Sequence, residues 1–146
     1  MKFNTRVIKI IFISFALILT PFETQSQSSA KSDQNIKYKK ARALQSSTAK
    51  RMAKVYEALE RMDEETGKED PDYDTAKELL GALRDDAENL RSYDRSVLWN
   101  SWGYMYIVDE DVEKAIDSYT KLINEPEVTL GLRNAGLLTL AQLYMA

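Results

Sequence analysis

The side chains able to do chemistry in this chain are almost all carboxylates. Its 146 residues contain no cysteine and no histidine. That absence excludes disulfides, thiolate and imidazole metal sites, and the Cys–His and Ser–His nucleophile systems. Carboxylate acid–base work remains, with the adjacent pairs Asp85/Asp86 and Glu64/Glu65 as its candidates. Successive helical residues project about 100° apart, so neither pair aims two carboxyl groups at one substrate. Both read as solvated acidic surface. The expectation is a protein that is not an enzyme and that needs no cofactor and no metal.

The rest of the composition fits a binding role. A 29% charged and 44% apolar chain with only five glycines and three prolines has the make-up of one modest soluble domain, poor in the tight turns of sheet proteins. Residues 1–30 read as a secretory signal. Lys2, Arg6 and Lys9 precede an apolar core from Ile10 to Leu19, Pro21 breaks it, and small residues follow that suit cleavage near residue 26 or 30. The core is shorter than the roughly 20 residues of a spanning helix, which favours cleavage and a periplasmic product over an inner-membrane anchor. Loss of Lys2, Arg6, Lys9 and Glu23 with the signal leaves 17 basic and 22 acidic residues, net −5. The charge is uneven: Lys31 to Arg61 holds nine basic and three acidic residues, and the remainder eight and nineteen. A basic arm thus precedes an acidic body, and an acidic exported chain is not expected to bind nucleic acid.

The elements that carry these residues read as helices throughout. Residues 31–46 are a polar and basic linker, and residues 47–146 a helical domain. Met52, Val55, Tyr56, Leu59 and Met62 recur at helical spacing, behind Ser47 or Thr48 as N-cap and ahead of Gly67 as C-cap. Asp72 is placed to cap a second helix carrying Tyr73 to Leu90. Ser92 is placed to cap a third, Asp109-Glu110-Asp111 turns into a fourth (Val112 to Ile123), and Thr129 caps a fifth running to the end. The fold class is all-α, with helices paired into antiparallel hairpins.

Short helices with short turns invite a search for a 34-residue period. Trp99, Trp102, Gly103, Tyr106, Ala115, Tyr119 and Leu122 match the tetratricopeptide-repeat (TPR) pattern, in which small residues at +4 and +16 let two helices cross closely and aromatics fill the flanks. These seven are structural positions. The clear repeat spans 96–129, a degenerate one about 48–90, and half of another 130–146, where Leu137, Leu140, Ala141 and Tyr144 resume the phase 38 residues on. Partner binding in such solenoids falls on the concave face, here Val97, Asn100, Tyr104, Ile107 and Val108, then Leu138, Gln142 and Met145. This mixture of amides, Tyr and aliphatics suits an extended peptide or a partner helix, and its lack of Lys and Arg speaks against a clamp for a C-terminal carboxylate. The last helix, with an apolar face and no following helix, is expected to fray or to self-associate.

Leu90 to Asn100, Trp102-Gly-Tyr-Met-Tyr106, Asp111 to Tyr119 and Leu138 to Tyr144 together resemble one bacterial family. These are the exported TPR proteins associated with the TonB–ExbB–ExbD energy-transduction system of marine gamma-proteobacteria. The resemblance runs from about Met52 to Ala146 and implies a periplasmic protein–protein adaptor with a TonB-system component as partner. Members are longer, which implies that this chain corresponds to an N-terminal part. A TPR scaffold for outer-membrane or envelope assembly is the alternative function, and an enzyme the third.

Overall fold

The computed structural model describes residues 42–145, so the signal segment and most of the linker lie outside the described residues. Five α-helices form among them: α1 (Ser46–Leu59), α2 (Tyr73–Asp85), α3 (Ser92–Val108), α4 (Val112–Asn124) and α5 (Leu130–Met145), with a 3-10 turn at Ala87–Asn89. An isolated antiparallel bridge, Met62 to Glu69, is the extended pairing among the described residues. The chain is all-α.

The extensive helix contacts join consecutive helices, α1 with α2, α2 with α3, α3 with α4 and α4 with α5. Antiparallel pairing shows in the contacts at the helix ends. Arg51 of α1 reaches the C-terminal end of α2, donating to Asp86 at 3.1 Å and to the Ala82 carbonyl at 2.6 Å, while the Asp72 amide donates to the Ala58 carbonyl. Arg95 near the start of α3 meets Glu125 after α4.

The core divides into two clusters. Met52, Val55 and Leu59 on one stripe of α1 close on Ala76, Leu80 and Leu83 of α2 and on Leu98, Trp102, Tyr104 and Met105 of α3. Ile107 joins Ala115, Tyr119 and Leu122 of α4 and Leu132, Leu140 and Leu143 of α5. Each fully buried Leu or Met contributes about 1.5–3 kcal/mol. Helices α1, α2 and α4 bury one stripe, as amphipathic spacing dictates. Helix α3 is buried around most of its circumference, with Asp94, Ser96, Ser101 and Gly103 enclosed beside its apolar residues, which marks it as the central helix.

Several ends differ from the sequence expectation. Helix α1 stops at Leu59, leaving Met62 exposed in the loop. Gly67 is therefore no C-cap: it takes φ 63° within the loop, its amide donating to the Asp63 carbonyl. Neither Ser47 nor Thr48 caps α1, because Thr48 points inward to Asp94 and Gln45 holds the cap position without a side-chain bond. Ser92 is the first residue of α3, and its hydroxyl accepts from the Glu127 amide at 2.9 Å instead of capping its own helix. Asp72 and Thr129 do accept from the third amide ahead of them, as expected, and Asp111, read from sequence only as part of an acidic turn, caps α4 in the same way.

The α3–α4 turn is minimal. Glu110 adopts φ 59°, the Glu110 amide donates to Ile107 and the Asp111 amide to Tyr106, the pattern of a Schellman C-cap. Asp111 then caps α4, so one residue ends one helix and starts the next.

Candidate protein-binding surface

The seven pattern residues gather where α3 crosses α4 and α2. A Cβ on Gly103 would lie 2.6 Å from Cε2 of Tyr119, so only glycine admits the ring there. Ala115, Tyr119 and Leu122 are buried beside it, and burial pushes the Tyr119 hydroxyl well above the usual tyrosine range. On the α2 side Trp102 stacks on Tyr106 at 5.2 Å and donates to the Leu80 carbonyl at 3.3 Å. The Arg84 guanidinium lies 4.5 Å above the Trp102 ring and donates to the Tyr106 hydroxyl at 3.2 Å. Such cation–π contacts are worth about 0.5–2 kcal/mol. Trp99 is half-buried, its indole N–H on Glu125 at 3.4 Å and Lys121 5.2 Å from its ring. These side chains hold the helices together.

The expected binding face of α3 is divided by the structure. Val97, Asn100 and Val108 are half-buried at its surface, and Asn100 makes no side-chain hydrogen bond among the described residues. Tyr104 and Ile107 are core residues instead. Tyr104 is enclosed in the first cluster, where burial and a hydrogen bond with Tyr73 at the start of α2 raise its pKa far above the ordinary value. Ile107 sits in the second cluster with the α5 leucines. The cause is the central place of α3: with helices against it on several sides, less of its surface is left open than a one-sided helix would have. On α5, Leu138 and Met145 are exposed and Gln142 is half-exposed.

Two further features of this surface carry no signature in the helical spacing. Gly136 lies against α4, where a Cβ would meet Leu122 at 2.8 Å and Ile123 at 3.0 Å; a glycine inside a helical pattern was the available signal. An open groove of about 650 Å³ lies between the Ala87–Asn89 turn, α3 and the end of α4, lined by Ala87, Arg95, Trp99, Lys121, Glu125 and neighbours. Its base is the bidentate pair of Arg95 and Glu125, at 2.8 and 2.9 Å. Burial raises the Glu125 pKa, but hydrogen bonds from Arg95, Ser92 and Trp99 and the Arg95 charge outweigh it, and the carboxyl titrates below its ordinary 4.5.

That depression sets a pH window. A carboxyl whose folded pKa is lowered contributes stability that is complete above its unfolded value and is lost as pH falls through the folded one. Glu125→Gln should therefore cost about 1–3 kcal/mol at neutral pH, and the gap to wild type should narrow as the pH drops below the ordinary carboxylate range. Paired thermal melts across that range check it; a gap that stays constant would show that the charge of Glu125 adds nothing.

The acidic pairs lie at the surface. Asp85, Glu64 and Glu65 are exposed, and Asp86 is engaged by Asn89 at 2.8 Å and Arg51 at 3.1 Å, which hold its carboxyl below the usual range. Among the described residues no cluster of three or more carboxylates could hold a metal ion, and no helix is long and apolar enough to cross a membrane. No protein-family model, no curated protein and no solved structure matches this chain.

Proposed function

We propose that the chain is an exported adaptor of tetratricopeptide-repeat type that binds proteins in the periplasm as an accessory of TonB-linked transport. The repeat reading is carried by one observation, the seat of the Tyr119 ring on Gly103, because the small-residue and aromatic positions of the pattern exist for that crossing. Packing between consecutive helices supports it, since each unit of a solenoid contacts only its neighbours. The half-exposed amides of Asn100 and Gln142, with Val97, Val108 and Leu138 nearby in sequence, supply hydrogen bonding and apolar contact for a peptide or helix. Export and the TonB link rest on the sequence of the first 30 residues and on the resemblance.

Direct binding tests the reading. The chain, expressed from its full sequence in a Gram-negative host, should appear in the osmotic-shock fraction with an N-terminus near Gln27 or Lys31. It should bind the purified periplasmic domain of TonB or of ExbD from the same genome. Asn100→Ala should weaken that binding about five-fold or more with the melting temperature unchanged. Full-length protein in the membrane pellet would assign it to the inner membrane. Absence of binding to both domains would remove the TonB link, and unchanged affinity of Asn100→Ala would remove the assigned face.

A further inference from the structure

The chain enters α1 along a fixed path. Residues 42–45 are not helical, and three of them are held by the start of α3 or the exit of α4. The Arg42 guanidinium pairs with Glu127 at 2.7 Å, Arg91 donates to the Ala43 carbonyl at 3.0 Å, and the Gln45 amide donates to Asp94 at 3.3 Å. Glu127 directly follows Pro126, which lines the open groove of about 650 Å³. The chain ahead of Arg42 therefore emerges at the rim of that groove.

The polar floor of the groove is already satisfied. Arg95 and Glu125 hold each other, the Trp99 indole N–H donates to Glu125, and the Asn124 amide donates to the Thr120 carbonyl. Two groups stay open on its walls. One is the part of the half-buried Trp99 that packing leaves uncovered, and the other is the exposed carboxylate of Glu88, which forms no ion pair among the described residues. An occupant thus needs an aromatic or apolar group close to a cation.

We infer that the segment Lys37-Tyr38-Lys39-Lys40 of this chain, outside the described residues, seats in the groove with Tyr38 against Trp99 and Lys40 toward Glu88. Three arguments select this occupant. Side chains two apart share one side of an extended stretch, so the ring of Tyr38 and the cation of Lys40 enter together. Charge favours the contact: residues 31–41 hold four basic and one acidic residue, net +3, and residues 42–146 thirteen and twenty-one, net −8. Reach suffices as well. An extended chain covers about 3.3–3.6 Å per residue, which carries Tyr38 roughly 13–14 Å from Arg42, and Trp99 is bonded to Glu125, two residues from the partner of Arg42. A tether this short gives the segment an effective concentration on the order of millimolar, ahead of a free partner.

The chain has no cysteine, so disulfides can report the contact. Protein expressed from the full sequence with Lys37→Cys and Thr120→Cys, the latter exposed on the groove wall, should close an internal disulfide about ten-fold faster than one with Lys37→Cys and Lys50→Cys. Lys50 is exposed one turn into α1, also near the point where the segment emerges. The preference should fall in about 1 M salt, with Tyr38→Ala and with Glu88→Lys, and return when Glu88→Lys is combined with Lys40→Glu. In the cysteine-free protein, acrylamide should quench tryptophan fluorescence more strongly after Tyr38→Ala, because Trp102 is buried and Trp99 reports on the groove. Equal rates at Thr120 and Lys50, or a preference indifferent to Tyr38→Ala and to the charge reversal, would overturn the proposal. A link that forms only between two molecules would overturn it in favour of a second copy.

Discussion

Replacing Gly103 by leucine should cost the chain about 3 kcal/mol or more, a large fraction of the roughly 5–15 kcal/mol that keeps a domain folded. A Cβ alone would stand 2.6, 2.8 and 2.9 Å from Cε2, Cζ and Cδ2 of Tyr119, and that ring is buried. Either α4 moves off α3, uncovering Ala115 and Leu122, or the ring leaves its site. Gly103→Ala should show a smaller loss of about 1–3 kcal/mol. Gly81 supplies the comparison. It sits within α2 with nothing inside 4 Å of its would-be Cβ, so Gly81→Ala should stabilise the helix by up to about 1 kcal/mol. Urea unfolding of the three variants beside wild type decides the matter. Were Gly103→Ala and Gly81→Ala to shift the midpoint in the same direction, the α3–α4 crossing could not be as close as described.

The second large effect belongs to Asp94. This carboxylate is completely buried at the start of α3, yet it accepts from the Gln45 amide at 3.3 Å, the Thr48 hydroxyl at 3.3 Å and Arg91 at 3.1 Å. It supplies from another helix the acceptor that α1 lacks at its own N-terminus. Arg91 reinforces the same junction by donating to the Ala43 carbonyl at 3.0 Å. Asp94→Ala should cost about 2–4 kcal/mol, since charged hydrogen bonds are lost and the Thr48 hydroxyl is left buried without a partner. Asp94→Asn should cost less, because its amide oxygen can still accept. The distinguishing measurement is amide hydrogen exchange: the first turn of α1 should lose protection ahead of α3 and α4. Uniform loss along the whole chain would argue that Asp94 supports the core generally and has no special bond to α1.

The contrast between these two residues shows what a single sequence discloses. Gly103 was legible because its neighbours lie at fixed helical offsets, and one hairpin satisfies the whole pattern within 24 residues of chain, from Trp99 to Leu122. The caps at Asp72 and Thr129 were legible for the same reason, each bonding within its own first turn. Asp94 was not, because its partners Gln45 and Thr48 lie 49 and 46 residues away and nothing in the spacing couples them. Periodicity places Tyr104 and Ile107 on an open face, because it reports the direction of a side chain around its helix and not how many other helices lie there. The Arg95–Glu125 pair, 30 residues apart, has no signature in the spacing for the same reason. The apolar outer stripe of α5, read from sequence as a face without a covering helix, is exposed apart from Leu140, which turns to the core.

Helix α3 also joins the two core clusters. It supplies Leu98, Trp102, Tyr104 and Met105 to one core cluster and Ile107 to the other, and Val97, Trp99 and Tyr106 touch both. The extensive contacts on either side of it run only to its neighbours. Whatever settles on α5 can therefore be felt at α1 chiefly by stiffening or shifting this one helix, and the coupling between the two ends is capped by how rigidly α3 itself is held.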